Sequence, residues 1–89
     1  MDEFQIAVAG RFSALEFVLE VLMANNLATM DRQSSEHFKS EMLDREGYIT
    51  HGPIDVDDLQ AIAEETQAVL RAFLAKVSNR EEDVRRGLQ

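Results

Sequence analysis

The side chains in this sequence that can do chemistry are carboxylates, two histidines and one arginine in an apolar setting. His37 and Glu41 stand four residues apart on a predicted helix, close enough on one face to share a metal ion, and so do Glu16 and Glu20. A helical di-metal centre asks for more, namely carboxylates joined to a Glu-x-x-His pattern converging inside a bundle. That pattern is absent. Glu16 and Glu20 also fall in the polar wedge of their helix, so solvated charge is the simpler reading.

Asp55, Asp57 and Asp58 resemble a cation-binding run, but helix capping accounts for all three. The glycine and terminal glutamate of a calcium loop are missing as well. Together with Glu64 and Glu65, Asp57 and Asp58 define the one catalytic alternative, a metal-dependent all-helical hydrolase using a carboxylate cluster. His51 sits in a loop beside Tyr48 and Thr50, where a histidine can serve as acid or base. No nucleophile or orienting partner accompanies it, and no glycine-rich phosphate loop exists. No residue is therefore assigned a catalytic, metal-binding or cofactor-binding role, and no cofactor is expected.

Arg11 is different. It lies inside the apolar arc of the first predicted helix, where a charge is tolerated only if it is paired or reaches water along its stem. Asp2, Glu3 or an acid from another subunit is its expected partner.

The elements that must position these groups are helices. From Phe4 to Met23, the residues Phe4, Val8, Phe12, Leu15, Leu19 and Leu22 form one stripe at helical spacing, and Ala7, Ala14, Phe17, Val18 and Val21 form a second face. The polar wedge shrinks to Gln5, Ser13, Glu16 and Glu20, leaving an apolar arc of roughly 240° where a surface helix shows a little over 100°. Asn26 falls on the main stripe. Either the helix ends there with Asn in a left-handed cap, or it continues toward Leu27 and Met30 and the amide is hydrogen-bonded in an interface.

Asp31, with Ser34 as the alternative, is the expected N-cap of a shorter middle helix reaching about Arg45, with Phe38 and Met42 on one side and little else apolar. Gly47, Gly52 and Pro53 mark the loop that follows. The last helix has the clearest start: Asp55 as N-cap, Asp58 three positions on, and Ile54 and Leu59 at the staple positions. Leu59, Ile62, Thr66, Val69, Phe73 and Val77 recur at helical steps over an arc of roughly 140°. Val84 and Leu88 stay in phase, so this helix is expected to run almost to the C-terminus.

The formal net charge is −8, with fourteen acids against four bases in residues 1–70 and five bases against three acids in residues 71–89. An acidic body repels phosphate backbones, so nucleic acid is not an expected partner. The tail bases Arg71, Lys76, Arg80, Arg85 and Arg86 are interleaved with Glu81, Glu82 and Asp83. The i,i+4 pairs Glu81–Arg85 and Glu82–Arg86 suggest a solvated helix end. Residues 4–24 are apolar but carry Arg11, Glu16 and Glu20, which are costly in a bilayer, so no membrane association is expected. Asp2 and Glu3 stand where a signal peptide needs bases, and a cytoplasmic protein is expected.

The 89 residues are read as a single helical domain, 1–89, with no cysteine for disulfides, iron–sulfur clusters or thiolate zinc. A chain this short buries only roughly 60–65% of its unfolded surface, which points to oligomerisation for added stability. The expected fold is all-α: an antiparallel hairpin of two long helices (about 3–26 and 55–80 or beyond) with a short middle helix, assembling as a homodimeric four-helix-type bundle. With the Phe12–Leu19 stripe covered by the last helix, the expected dimer interface is Phe17 and Val21 with Ala14, Val18 and Arg11. A possible surface for another protein partner is Phe38, Met42, Tyr48 and Ile49. The expected function is that of a small acidic interaction or assembly module without catalytic activity.

Overall fold

The computed structural model describes residues 1–44 and 56–87, and among them the regular structure is entirely helical: α1 (Glu3–Ala28), α2 (Arg32–Met42) and α3 (Val56–Gly87). Local chemistry sets the ends. Asp2 accepts a hydrogen bond from the Gln5 amide at 2.7 Å, while the Gln5 side-chain oxygen accepts one from the Asp2 amide at 3.1 Å. This reciprocal box satisfies two of the donors a helix start leaves open. Asp31 caps α2 as expected, accepting from the Ser34 amide at 2.7 Å. That backbone bond holds the Asp31 carboxyl below its usual range.

α1 does not stop at Asn26. Its carbonyl accepts from both the amide and the hydroxyl of Thr29, the latter at 2.6 Å, and no non-glycine residue described has a positive φ. The left-handed cap is thus replaced by an ordinary right-handed one at Thr29. α3 continues in phase through Val84 to Gly87, 32 residues in all. Its expected cap at Asp55, the Ile54 staple, Leu88 and the loop glycines and proline lie outside the described residues.

The two long helices run in the same direction, which corrects the expected antiparallel hairpin. Glu16 pairs with Lys76, Glu20 with Arg80, and the Leu27 carbonyl with Arg85, so position increases along both helices together. α2 runs antiparallel to α3, with Arg32 on Glu82, Ser35 on Glu81, Lys39 on Ser78, and the Leu43 carbonyl accepting from Gln67. The order is therefore up, down, up. Asp2 and Glu3 lie at the opposite end of the molecule from Arg80, Arg85 and Arg86, which an antiparallel hairpin would have set beside them.

The core is small and sits at one end. Ala24, Leu27 and Val77 are fully buried, and Met23, Met30 and Phe73 pack against them. Every residue of α1 from 3 to 19 is exposed except the half-buried Val8. The first half of α1 thus stands free of the other helices. The radius of gyration of 15.9 Å fits that openness, against about 12 Å for a compact chain of this length.

Gly10 lies in the free half of α1, and nothing lies within 4 Å of where its Cβ would be. Gly10→Ala should therefore raise stability by about 0.5–1 kcal/mol, since alanine loses less backbone entropy on entering a helix. Urea unfolding should show a higher midpoint at unchanged slope; a lower midpoint would mean that another helix approaches this face.

Candidate functional site

Two features are built from the three helices: a buried polar knot that fixes their arrangement, and an uncovered apolar face on α1 that the arrangement leaves behind. The knot centres on Glu81, only 3% exposed. Its carboxylate accepts from the Ser35 hydroxyl at 2.9 Å, from Lys39 Nζ at 3.1 Å and from Arg85 Nη2 at 2.6 Å. Lys39, also buried, donates to Ser78 Oγ at 3.0 Å and pairs with Glu36 at 2.8 Å. Arg85 then donates to the carbonyl of Leu27, in the last turn of α1, and to that of Met30, just beyond it, each at 2.9 Å.

Burial pushes the Glu81 carboxyl up, but the hydrogen bonds from Arg85, Ser35 and Lys39 outweigh it and hold the group below the usual glutamate range. Burial likewise works against the Lys39 ammonium, and its bonds to Glu36 and Glu81 prevail, raising it. The pair Glu81–Arg85 forms as the spacing suggests, but it is buried rather than a solvated helix end. The second expected pair does not form: Glu82 turns to Arg32, and Arg86 pairs with Asp83 at 3.6 Å. One sequence signal did mark Glu81. It stands four residues after Val77 and three before Val84, inside the apolar stripe of α3.

Beyond the knot, α1 meets α3 with its polar side. Glu16 binds Lys76 at 3.0 Å and Glu20 binds Arg80 at 2.9 Å, while the Arg80 guanidinium lies 5.2 Å from the centre of the Phe17 ring. Glu16 and Glu20, weighed as metal ligands, are thus ion-pair partners. The strongest apolar stripe faces away: Phe4 is 76% exposed, and Phe12, Leu15, Leu19 and Leu22 are each more than half exposed. The premise that α3 covers the Phe12–Leu19 stripe is overturned, because the paired glutamates and the small Ala24 allow α3 onto the other side.

The expected interface residues are distributed around this helix. Ala14, Phe17 and Val18 are exposed and Val21 is half-buried. Arg11 is exposed, with no described acid paired to it, so Asp2 and Glu3 are not its partners. Phe38 and Met42 sit on α2, Phe38 exposed and Met42 half-buried. Phe38 helps line an open hollow of about 450 Å³ with Met30, Gln33, Ser34, His37 and Glu41. α2, thin in apolar content, meets α3 through the buried Ser35 and Lys39. Tyr48, Ile49, Thr50 and His51 lie outside the described residues.

His37 and Glu41 form an exposed pair at 3.1 Å. Asp57, Asp58, Glu64 and Glu65 are exposed on the first turns of α3. Asp57 and Glu64 share one side and Asp58 and Glu65 another, each pair about 10 Å apart along the axis at 1.5 Å per residue. Among the described residues, no group of three His, Asp or Glu side chains is placed to hold a metal ion. Within the same residues, no helix is long and apolar enough to cross a membrane.

Comparison with known proteins adds no relative: no protein-family model, curated protein or solved structure matches the chain.

Removing the acid from the knot leaves two cations facing each other at a buried site. Glu81→Leu should therefore cost about 3–5 kcal/mol, with Glu81→Gln milder because it keeps acceptor and donor capacity. The pH dependence follows from the depressed carboxyl. Glu81's contribution is fully present above 4.5, a free glutamate's value, and is lost as pH falls through its lower folded value. Urea midpoints measured from pH 7 down to pH 2 should drop below about pH 4.5 in the wild type, and Glu81→Gln should flatten part of that drop. An unchanged profile in the variant would remove Glu81 from this role.

Proposed function

We propose that this chain is a small helical assembly module that works by associating through α1, forming a homodimer whose bundle is built from the long helices of both copies. One observation carries the reading: the Phe4–Leu22 stripe, the most apolar surface of the chain, is left in solvent by its own fold. The five exposed side chains of that stripe present on the order of 600 Å² of apolar surface, the upper end for the largest patch on a typical monomer. Covering it on two copies corresponds to roughly 30 kcal/mol of gross transfer free energy at about 25 cal/mol per Å². Association costs an estimated 4–15 kcal/mol or more in lost motion and ordering, so the area supplies a driving force without setting the affinity.

The acidic balance supports a specific contact over loose aggregation. Like net charge of −8 on each copy disfavours random encounters, and the stripe itself carries no acid. The absence of cysteine and the small core leave association as a means by which a chain this size gains buried area.

Light scattering at micromolar concentration should give twice the 10.1 kDa of one chain. Leu15→Glu, at a position exposed within the protomer, should give a monomer with an unchanged helical circular-dichroism spectrum. A well-folded wild-type monomer at that concentration would overturn the reading.

A further inference from the structure

We infer that the surface covering the α1 stripe is the same stripe of a second copy, laid antiparallel, with Phe12 of each chain against Leu15 of the other. This rests on the self-association reading and specifies its geometry. Three observations select the arrangement.

Side-chain size is the first. The stripe is heavy at its start, with Phe4 and Phe12, and lighter at its end, with Leu19 and Leu22. A parallel pair would set phenylalanine against phenylalanine at one end and leucine against leucine at the other, splaying the helices. The antiparallel pair, in which paired positions sum to about 27, sets Phe4 near Leu22, Val8 near Leu19 and Phe12 near Leu15. Every layer then combines a larger side chain with a smaller one, at even spacing. Asn26 falls beyond the last layer, where its amide stays in water.

The position of the body is the second. α2 and α3 grip α1 through Glu16 to Met30, leaving the half before residue 16 free. Antiparallel pairing places the two acidic bodies at opposite ends and lays each free half along the partner's gripped half. Parallel pairing would set the two bodies, and the two acidic starts at Asp2 and Glu3, side by side. Opposed helix dipoles act in the same direction.

Charge and area supply the third. Arg11 is the only charged residue bordering the stripe on its Ala7, Ala14 and Val18 flank. In the antiparallel register its stem lies beside the partner's Ala14 and Val18 with its head in water. The small alanines allow close approach. With this flank included, each copy contributes close to the roughly 800 Å² of a standard interface.

The chain contains no cysteine, so introduced thiols are unique. In an antiparallel helix pair, same-flank residues of the two chains meet, and Ala7 and Val18 share a flank. In the register above, Ala7 lies about 3 Å along the axis from the partner's Val18. Two Ala7 residues are about 20 Å apart, two Val18 residues about 13 Å, and Ala7 and Val18 of one chain about 16 Å. A short bismaleimide of about 8 Å span should therefore link the double variant Ala7→Cys/Val18→Cys into dimers at least ten-fold faster than either single variant. Light scattering on the unlinked variants confirms that they associate. Efficient linking of Ala7→Cys alone would set Ala7 against Ala7, a different antiparallel register, and overturn the inference. Dimers by light scattering with no linking in any variant would mean parallel pairing or an interface elsewhere, overturning this geometry while leaving self-association standing. Monomers in the wild type would overturn both.

Discussion

The arrangement depends on a single buried carboxylate. Glu81 is held by Ser35 and Lys39 from α2 and by Arg85 from its own helix, and Arg85 in turn holds the last carbonyls of α1. Through two side chains, one turn of α3 holds the last turn of α1 and the first two turns of α2. Burying a carboxylate is costly, so Glu81 is tolerated only because every one of its neighbours donates to it. The knot therefore admits one alignment. Sliding any helix by a turn would leave a charge alone in an apolar setting, which gives the polar cluster a registering role that the three fully buried apolar residues Ala24, Leu27 and Val77 could not supply on their own.

The alignment chosen by the knot has a consequence for α1. Apolar side chains surround this helix almost evenly, so no single face is obliged to point inward. The side that α3 takes is the one carrying Glu16 and Glu20, which reach Lys76 and Arg80 at matched four-residue steps on parallel helices. These partly exposed pairs contribute little stability individually. Their effect is on orientation, because they place the polar wedge of α1 between the helices and turn the aromatic stripe outward. A contact that is modest in energy thus decides which large surface remains available for association.

The flat outline, 49 × 36 × 15 Å, follows from the same facts. α3 alone spans about 48 Å at 1.5 Å per residue, and α1 shares only its second half with it. A protomer with its core confined to one end and an apolar helix half projecting from the other is an incomplete bundle. The proposed association would complete it without a change in fold, since the stripe already stands exposed.

Local structure was legible in the residues themselves. Asp31 capping α2, the continuation of α3 past Val77 on the strength of Val84, and the helical course of α1 all follow from capping chemistry and a 3.6-residue period, which act between neighbours in sequence. Glu81 stands inside the apolar stripe of α3, but its spacing from Arg85 read as a solvated helix end, and its partners Ser35 and Lys39 lie more than forty residues away. Periodicity could not choose which side of α1 faces inward, because an apolar arc of roughly 240° gives nearly every side a claim. Nor could it give the direction of packing, since a stripe reads the same from either end. Only the tertiary structure settled both: the Glu16–Lys76 and Glu20–Arg80 pairs turn the polar wedge of α1 inward, and Glu81 with Arg85, reaching the Leu27 carbonyl, sets the direction.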